Sequence, residues 1–405
     1  MRILHTADWH LGLRLYKKDL MQEHRLFFDW LIDTIKDRNI DILMISGDVF
    51  DQANPTNEAR FMYFSFLRDL IKYNCKVIIT GGNHDSPGVL NAPKDILEML
   101  NVHTIGNITE DISQMVIELH LNNQLKAVVC AVPFIREKDI HDFTVGEDFE
   151  SKIDQARTGI KNIYSKIGDL VKDNYKVPLL AMGHLYAAGA ELSDSERDIQ
   201  VGNQSAIHAE DFTDVFDYIA LGHIHRPQFV AGQKHIRYSG SPIALSFSEK
   251  KDQKLVVELE IKGSEIHQTN LEVPAFRKLV KFVGNLEAVK HELENYTSVS
   301  ELPAYAEIEI IEETTSPAVF SAVTRFVADF KSDHIELLHH RIINKNEVKS
   351  INQLNSTTTT LDDLSPEMVL MDMMESGKFA EEEKQLILQA FIHINEMDNE
   401  EEEDL

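Results

Sequence analysis

The stretch Val77-Ile78-Ile79-Thr80-Gly81-Gly82-Asn83-His84-Asp85 decides the fold, because an apolar run meets a glycine pair and then three residues able to do chemistry. The apolar run reads as a buried strand. Two glycines let the backbone turn sharply and approach a ligand. The side-chain carbonyl of Asn83 is a neutral, hard donor for a cation. If Asn83 faces a metal, His84 points elsewhere and can give up a proton, with Asp85 placed to orient its imidazole. The plainer reading of the same residues is an ordinary Asn-Gly-type turn.

Working outward, the arrangement recurs. Ala7-Asp8-Trp9-His10 follows Ile3 to His5, and Gly47-Asp48 follows Ile42 to Ser46. Gly183-His184 follows Leu179 to Met182, and Gly222-His223-Ile224-His225 follows Tyr218 to Leu221. In extended chain, residues i and i+2 point to one side, so Asp8 with His10, and His223 with His225, can each face a common ion. A single carboxylate such as Asp48 can bridge two cations. Taken singly, Asp48 reads as a turn or helix cap, and a lone histidine near a core reads as a structural residue. Taken together and in order, Asp8, His10, Asp48, Asn83, His184, His223 and His225 form an N/O donor set suited to two octahedral divalent ions that share one carboxylate. Two such ions ~3.5–4 Å apart clamp a phosphoryl group during in-line attack, so the implied chemistry is phosphoester hydrolysis.

The 405 residues suffice for two or three domains, and 43% hydrophobic with 26% charged content is ordinary for a soluble globular chain. No apolar stretch approaches the ~20 residues that span a membrane, and Asp8 and His10 interrupt the apolar N-terminal stretch, so it does not read as a signal peptide. The two cysteines, Cys75 and Cys130, lie in apolar strand-like contexts and read as free buried thiols in a reducing cytoplasm. The formal charge of −27 argues against nucleic-acid binding through a general basic surface. It is uneven: residues 361–405 carry a net −13 and residues 1–360 a net −14. Attraction for phosphate must then be local and metal-assisted, or lent by a partner.

Strands and helices alternate to about residue 270, which favours a layered α/β core. Helices are expected around 22–38 and 57–73, a long one over 150–172 packing outside the core, and a further strand at Ala127 to Val132. In open α/β sheets ligands bind beyond the carboxyl ends of strands, where these motifs sit. Hairpins are expected at His235 to Tyr238, Lys254 to Ile261 and Glu265 to Leu271, with a turn at Gly263-Ser264. Residues 273–345 read as a small α/β capping domain: a strand at 277–283, a helix near 286–295, a strand at Ala306 to Ile311, a helix opening at Ser316-Pro317 and a third strand at Ile335 to Ile343. Residues 346–364 read as a linker, 365–396 as two short helices rich in Met and apolar residues, and the end as a solvated acidic tail. Helices that apolar need cover, either by docking on another protein or by packing back on their own domain.

The order D-x-H, G-D, G-N-H-D, G-H, G-H-x-H resembles the calcineurin-like metallophosphoesterase superfamily. The strings His5-Thr6-Ala7-Asp8-Trp9-His10-Leu11-Gly12, Ser46-Gly47-Asp48-Val49-Phe50-Asp51 and Tyr238-Ser239-Gly240-Ser241-Pro242 are similar to its SbcD family of bacterial DNA-repair nuclease subunits. The resemblance implies a core of two sheets flanked by helices over residues 1–272. It implies that Asp8, His10, Asp48 and His225 hold one ion and that Asp48, Asn83, His184 and His223 hold the other. His84 would serve the leaving oxygen, with Asp51 and Asp85 as supporting orienters. Manganese is the family's usual metal, and the donor set also admits magnesium or iron. The resemblance further implies 3′-to-5′ exonuclease action on duplex DNA, endonuclease action on single strands and hairpins, a homodimer, and a partner, the SbcC-type coiled-coil ATPase, docked through residues 365–396.

Substrate contacts are less legible. Arg14, Lys17, Lys18 and Arg25 read equally as a phosphate-binding cluster or a solvated face. Phe61, Phe64, Phe66 and Leu67 read as core, or as part of a dimer face. Two rival functions remain: a small-molecule phosphodiesterase with the same metals, and a non-catalytic scaffold for the ATPase.

Overall fold

The structure, a computed structural model, describes residues 1–140, 149–191, 193, 196, 207–312 and 317–345. The first strands are β1 (Arg2–Thr6), β2 (Arg14–Leu15), β3 (Lys18–Asp19), β4 (Ile42–Ser46), β5 (Lys76–Thr80) and β6 (Val102–Ile105). Next come β7 (Val116–Leu121), β8 (Gln124–Ala131), β9 (Leu179–His184), β10 (Tyr218–Gly222), β11 (Gln228–Val230) and β12 (Gln233–Tyr238). The chain continues through β13 (Leu255–Lys262), β14 (Glu265–Glu272), β15 (Leu279–Gly284), β16 (Ala304–Glu312) and β17 (Ile335–Asn344). One six-stranded sheet has the order β14-β13-β1-β4-β5-β6, and the other β11-β12-β10-β9-β8-β7. Both are mixed. β1, β4, β5 and β6 run parallel, as do β8, β9, β10 and β12, with antiparallel strands at the flanks.

Alternation along each strand explains the layering. Ile3, Ile42, Met44 and Ile78 join Leu180, Met182, Ile219 and Leu221 in one buried cluster that takes residues from both sheets. Leu4, Leu43, Ile45, Val77 and Ile79 point the other way, into a cluster with two helices, α1 (Met21–Arg38) and α2 (Asn57–Leu70). Such strands are buried on both faces and read as near-continuous apolar runs. α2 starts where Thr56 accepts a hydrogen bond from the Ala59 N–H at 3.2 Å, and it ends at Leu70, the expected last turn being a separate 3-10 helix. It divides the four expected apolar residues: Phe66 and Leu67 are buried, while Phe61 is 73% exposed and Phe64 40%.

The helix Phe149–Lys172 is more than an outer cover. Ala156, Ile160, Tyr164, Ile167 and Val171 recur at helical spacing and are buried, and the Tyr164 hydroxyl donates to the Met182 carbonyl at 3.1 Å. The strand β8 and the hairpin β13–β14, with its Gly263-Ser264 turn, form within a few residues of their expected positions. The two-residue strands β2 and β3, the strands β6, β7 and β11, and the short helices Pro87–Asn91 and Lys94–Met99 carry no strong periodicity, and the sequence pattern does not predict them.

After residue 273, β15, β16 and β17 form a three-stranded sheet with the helices Leu286–Asn295 and Pro317–Asp329 and an apolar cluster of their own, including Phe282, Val289, Leu293, Ile308 and Val323. Arg277 pairs with Glu23 of α1, Lys18 pairs with Glu336, and the Tyr16 ring stacks on His339 at 4.5 Å. By contacts, Met1–Ile310 and Pro317–Ile342 belong to one compact unit. The linker, the helices expected at 365–396 and the acidic tail lie outside the described residues. Among the described residues no helix is long and apolar enough to cross a membrane. Both cysteines are free and buried, and burial pushes each thiol up to about 12.

Candidate metal centre

All five motifs lie at or just beyond the ends of strands, Gly183-His184 closing β9 itself, and the structure brings their side chains to one edge where the two sheets meet. The loops after β1 and β4 run side by side: the Asp8 N–H donates to Gly47 O at 3.1 Å, His10 N–H to Asp48 O at 3.0 Å and Leu11 N–H to Val49 O at 3.0 Å. Between the two candidate ligands, Trp9 turns the opposite way into the helix-covered core, edge-on to Phe28 and Phe66. His24 reaches the Trp9 carbonyl at 2.5 Å and fixes this loop from α1.

Asp8 and His10 are not in extended chain. Their φ angles are 55° and 47°, and those of Asp48 and His223 are 49° and 99°, all in the region that non-glycine residues rarely adopt. The simple i, i+2 expectation for His223 and His225 fails for the same reason. The His225 ring lies beside His10, centroids 4.9 Å apart, whereas the His223 ring lies beside His184 at 5.6 Å. One left-handed residue sends the two imidazoles into different halves of the site.

Asp48 occupies the middle. Its Oδ2 is 3.2 Å from His184 Nε2 and 3.5 Å from His10 Nε2, and its Oδ1 accepts the His84 N–H at 2.9 Å. Asn83 Oδ1 lies 2.9 Å from His184 Nε2, and His10 Nε2 lies 3.1 Å from His225 Nε2. His184 Nδ1 bonds the Ser46 carbonyl at 2.9 Å, which turns Nε2 toward Asp48. Three triads have ligand atoms within 4.8 Å of one another: Asp8, His10 and His225; His10, Asp48 and His84; Asp8, Asp48 and His184. Asp8 Oδ2 and His223 Nε2 are buried with no hydrogen-bond partner. Orphaned donors and acceptors of this kind are costly unless something else binds them. A divalent cation satisfies both, and the carboxylate, imidazole and amide donors suit it.

Close approach needs glycine at two points. A Cβ on Gly47, where φ is +84°, would lie 2.2 Å from His184 Nδ1, and one on Gly222 would lie 1.9 Å from the Ser46 carbonyl oxygen.

Electrostatics follows from burying this many titratable groups together. Burial, opposed by His184 and reinforced by Asp48, pushes Asp8 up to about 7. Burial alone would lower His184, but the Asp48 and Asp8 carboxylates and the Ser46 carbonyl raise it to about 9. Burial would raise Asp48, yet His184, His10 and His84 hold it well below the usual carboxylate range. Burial next to His184 keeps His223 well below the usual imidazole range.

The expected supporting residues behave differently from one another. Asp51 Oδ1 lies 3.4 Å from His10 Nδ1 and 4.0 Å from His84 Nδ1, an orienting position. Asp85 does not orient the His84 ring as expected. Its carboxylate accepts from the Gly82, Val49 and Phe50 N–H groups at 2.9–3.1 Å, stapling two loops, while His84 Nδ1 bonds the Asp51 carbonyl at 2.7 Å. Three unpaired N–H groups in tight turns outcompete a ring that already has a carbonyl within reach.

Arg14, Lys17, Lys18 and Arg25 are exposed and do not enter this cluster. Lys18 is engaged by Glu336, and Arg25 lines a groove between α1 and α2 with Phe61 and Met62. Sequence reasoning missed Glu196, Glu249 and Lys254. The His225 N–H donates to Glu196 Oε1 at 2.8 Å, and Lys254 Nζ lies 2.5 Å from Glu249 Oε2. Their one sequence signal, Ser239-Gly240-Ser241-Pro242, marks a nearby turn and not the residues themselves.

The calcineurin-like phosphoesterase family matches residues 1–227. The chain is 36% identical over 318 residues to SbcD of the SbcCD nuclease from Escherichia coli (strain K12), covering 76% of this chain and 78% of that one. It is 35% identical over 260 residues to the SbcD protein of Rhodobacter capsulatus, covering 62% and 64%. Against that from Bacillus subtilis (strain 168) the identity is 34% over 270 residues, covering 65% and 67%. With its five loops converged around Asp48, the chain belongs to the calcineurin-like phosphoesterases and, within them, to the SbcD family.

Proposed function

We propose that this chain is the DNA nuclease component of an SbcCD-type complex, hydrolysing phosphodiesters with two divalent cations. The observation that carries the reading is Asp48 Oδ2, set between His10 Nε2 and His184 Nε2 at 3.5 and 3.2 Å. Its bacterial relatives are named as part of the SbcCD nuclease, which supports the substrate class. Asp8, His10, Asp48 and His225 would hold one cation, and Asp48, Asn83, His184 and His223 the other. When bound, such a pair supplies positive charge to a phosphoryl group and acidifies water; family resemblance supports manganese, and the donor set admits magnesium or iron as well.

The chain's own residues do the rest. The Asp51 carbonyl accepts from His84 Nδ1, so Nε2 is the nitrogen that exchanges a proton with the departing sugar oxygen. Asp85 keeps the Asp48 and Asn83 loops in register through three backbone bonds. Family resemblance supports 3′-to-5′ exonuclease action on duplex DNA, endonuclease action on single strands and hairpins, and docking of an SbcC-type ATPase through residues 365–396. The exposed Phe61 on α2 suits a homodimer contact, and Arg14, Lys17 and Arg25 are candidates for DNA phosphates.

The test is cleavage of a labelled hairpin DNA with manganese, with and without an SbcC-type ATPase. Asp8→Ala should abolish cleavage. His84→Ala should keep both cations while losing roughly 10²–10⁴-fold in rate. Hydrolysis of a bis-aryl phosphate with no DNA cleavage would replace the nuclease reading with a small-molecule phosphodiesterase. Failure to bind metal would replace it with a scaffold.

A further inference from the structure

A buried charged network stands behind one histidine of the site and belongs to none of the five motifs. Glu249 is 1% exposed, and Lys254, five residues later, is 6% exposed. Lys254 Nζ donates to Glu249 Oε2 at 2.5 Å, to Ser241 Oγ at 2.9 Å and to the His225 carbonyl at 3.0 Å. The second Glu249 oxygen, Oε1, faces His225 Nδ1 at 3.6 Å. Glu249 Oε2 also accepts the Leu245 N–H at 3.1 Å. The Ser241 N–H donates to the His225 carbonyl at 3.1 Å, and a Cβ on the adjoining Gly240 would lie 2.6 Å from that oxygen. The same lysine thus grips the His225 backbone and the nearer of two carboxylates at its ring, Glu196 Oε1 lying 3.9 Å from the same nitrogen.

Burying a carboxylate and an ammonium is expensive, and such a pair is weak evidence for stability. A hydrophobic pair of similar volume would fill the space without that cost. What the pair provides is a carboxylate at the ring nitrogen of His225 that faces away from His10. Metal-binding imidazoles ordinarily give that second N–H to a carboxylate or carbonyl, which fixes tautomer and ring orientation. The other half of the site uses a backbone carbonyl for the purpose, Ser46 O on His184 Nδ1.

We propose that Glu249, held by Lys254, is a positioning residue for His225, fixing the imidazole with Nε2 directed into the site. It touches neither substrate nor cation, and the inference rests on the reading above that His225 ligates a cation. The experiment uses the full chain, stripped with a chelator and titrated with manganese by calorimetry and electron paramagnetic resonance. Wild type should take up two ions. Glu249→Gln should weaken one of the two on the order of 10–100-fold and leave the other unchanged. Glu249→Asp, which keeps the charge, should recover part of that loss. Melting of the metal-free proteins checks folding. If Glu249→Gln does not fold, the double substitution Glu249→Met with Lys254→Met removes both buried charges together and should show the same one-site loss. Two ions bound with wild-type affinity in Glu249→Gln, or equal weakening of both, would overturn the positioning role. A wild type that binds no ion would overturn the dimetal reading itself.

Discussion

The two core sheets bring different chemistry to the edge where they meet. Loops after β1, β4 and β5 carry Asp8, His10, Asp48, Asn83 and His84, while the ends of β9 and β10 carry only imidazoles, His184, His223 and His225. The first-sheet loops are tied mainly to one another, through backbone bonds and the Asp85 staple. The second-sheet imidazoles are aimed from outside their own loops, by Ser46 for His184 and by Glu249 beside His225. The first-sheet loops therefore bring both carboxylates, and the second sheet brings imidazoles alone. A substitution at the central first-sheet acid should act on both cations, and one at a second-sheet imidazole on a single cation.

Asp48→Ala is the severest way to break that contrast. Its Oδ2 faces histidines from both halves, so hydrolysis should fall by roughly 10³-fold or more with both ions weakened. His223→Ala should weaken only one ion. Calorimetric titration of the two variants side by side decides it, and a one-ion loss in Asp48→Ala would remove the bridging role.

Gly222→Ala tests the seam. Its Cβ would collide with the Ser46 carbonyl oxygen, so the chain should lose roughly 1–3 kcal/mol of stability in urea unfolding, with His184 displaced. An unchanged midpoint would mean that the sheets can separate at little cost.

The smallest effect is on pH. In chelator-treated protein, His184 sits at about 9, above its ordinary 6.5, so its stabilising contribution is complete below 6.5 and lost as pH rises through 9. Asp8 sits at about 7, above 3.8, so its contribution is likewise lost as pH rises through 7. The Asp8 shift therefore makes the metal-free melting temperature fall from about pH 3.8 to 7, and the His184 shift makes it fall from 6.5 to about 9. Metal binding needs both groups deprotonated, so added manganese should stabilise more at pH 9 than at pH 6.5. A flat difference between the two conditions would contradict these assignments.

Much of the core was legible because parallel strands buried on both faces leave apolar runs such as Ile42 to Ser46, ended by glycine. The donor residues were legible because each follows such a run. What the sequence hid was direction. The left-handed φ at Asp8, His10, Asp48 and His223 leaves no mark in the residue types, so His223 and His225 could not be assigned to separate halves by spacing. The role of Asp85 was hidden because its partners are backbone groups. Glu249 and Lys254 were hidden because they approach His225 from a turn more than twenty residues away, and no periodicity links the two. β2 and β3, two residues each, are too short for any pattern to register.

Those four strained backbone positions have a further meaning. Each costs of order 1–3 kcal/mol and persists only because its surroundings overrule it. The proposed metal ligands are then among the residues that burden its folding. Evolutionary drift toward asparagine or glycine at such places would relax the chain even as it silenced it. A sturdier protein from a random stability screen should therefore be checked for whether it has simply ceased to be an enzyme.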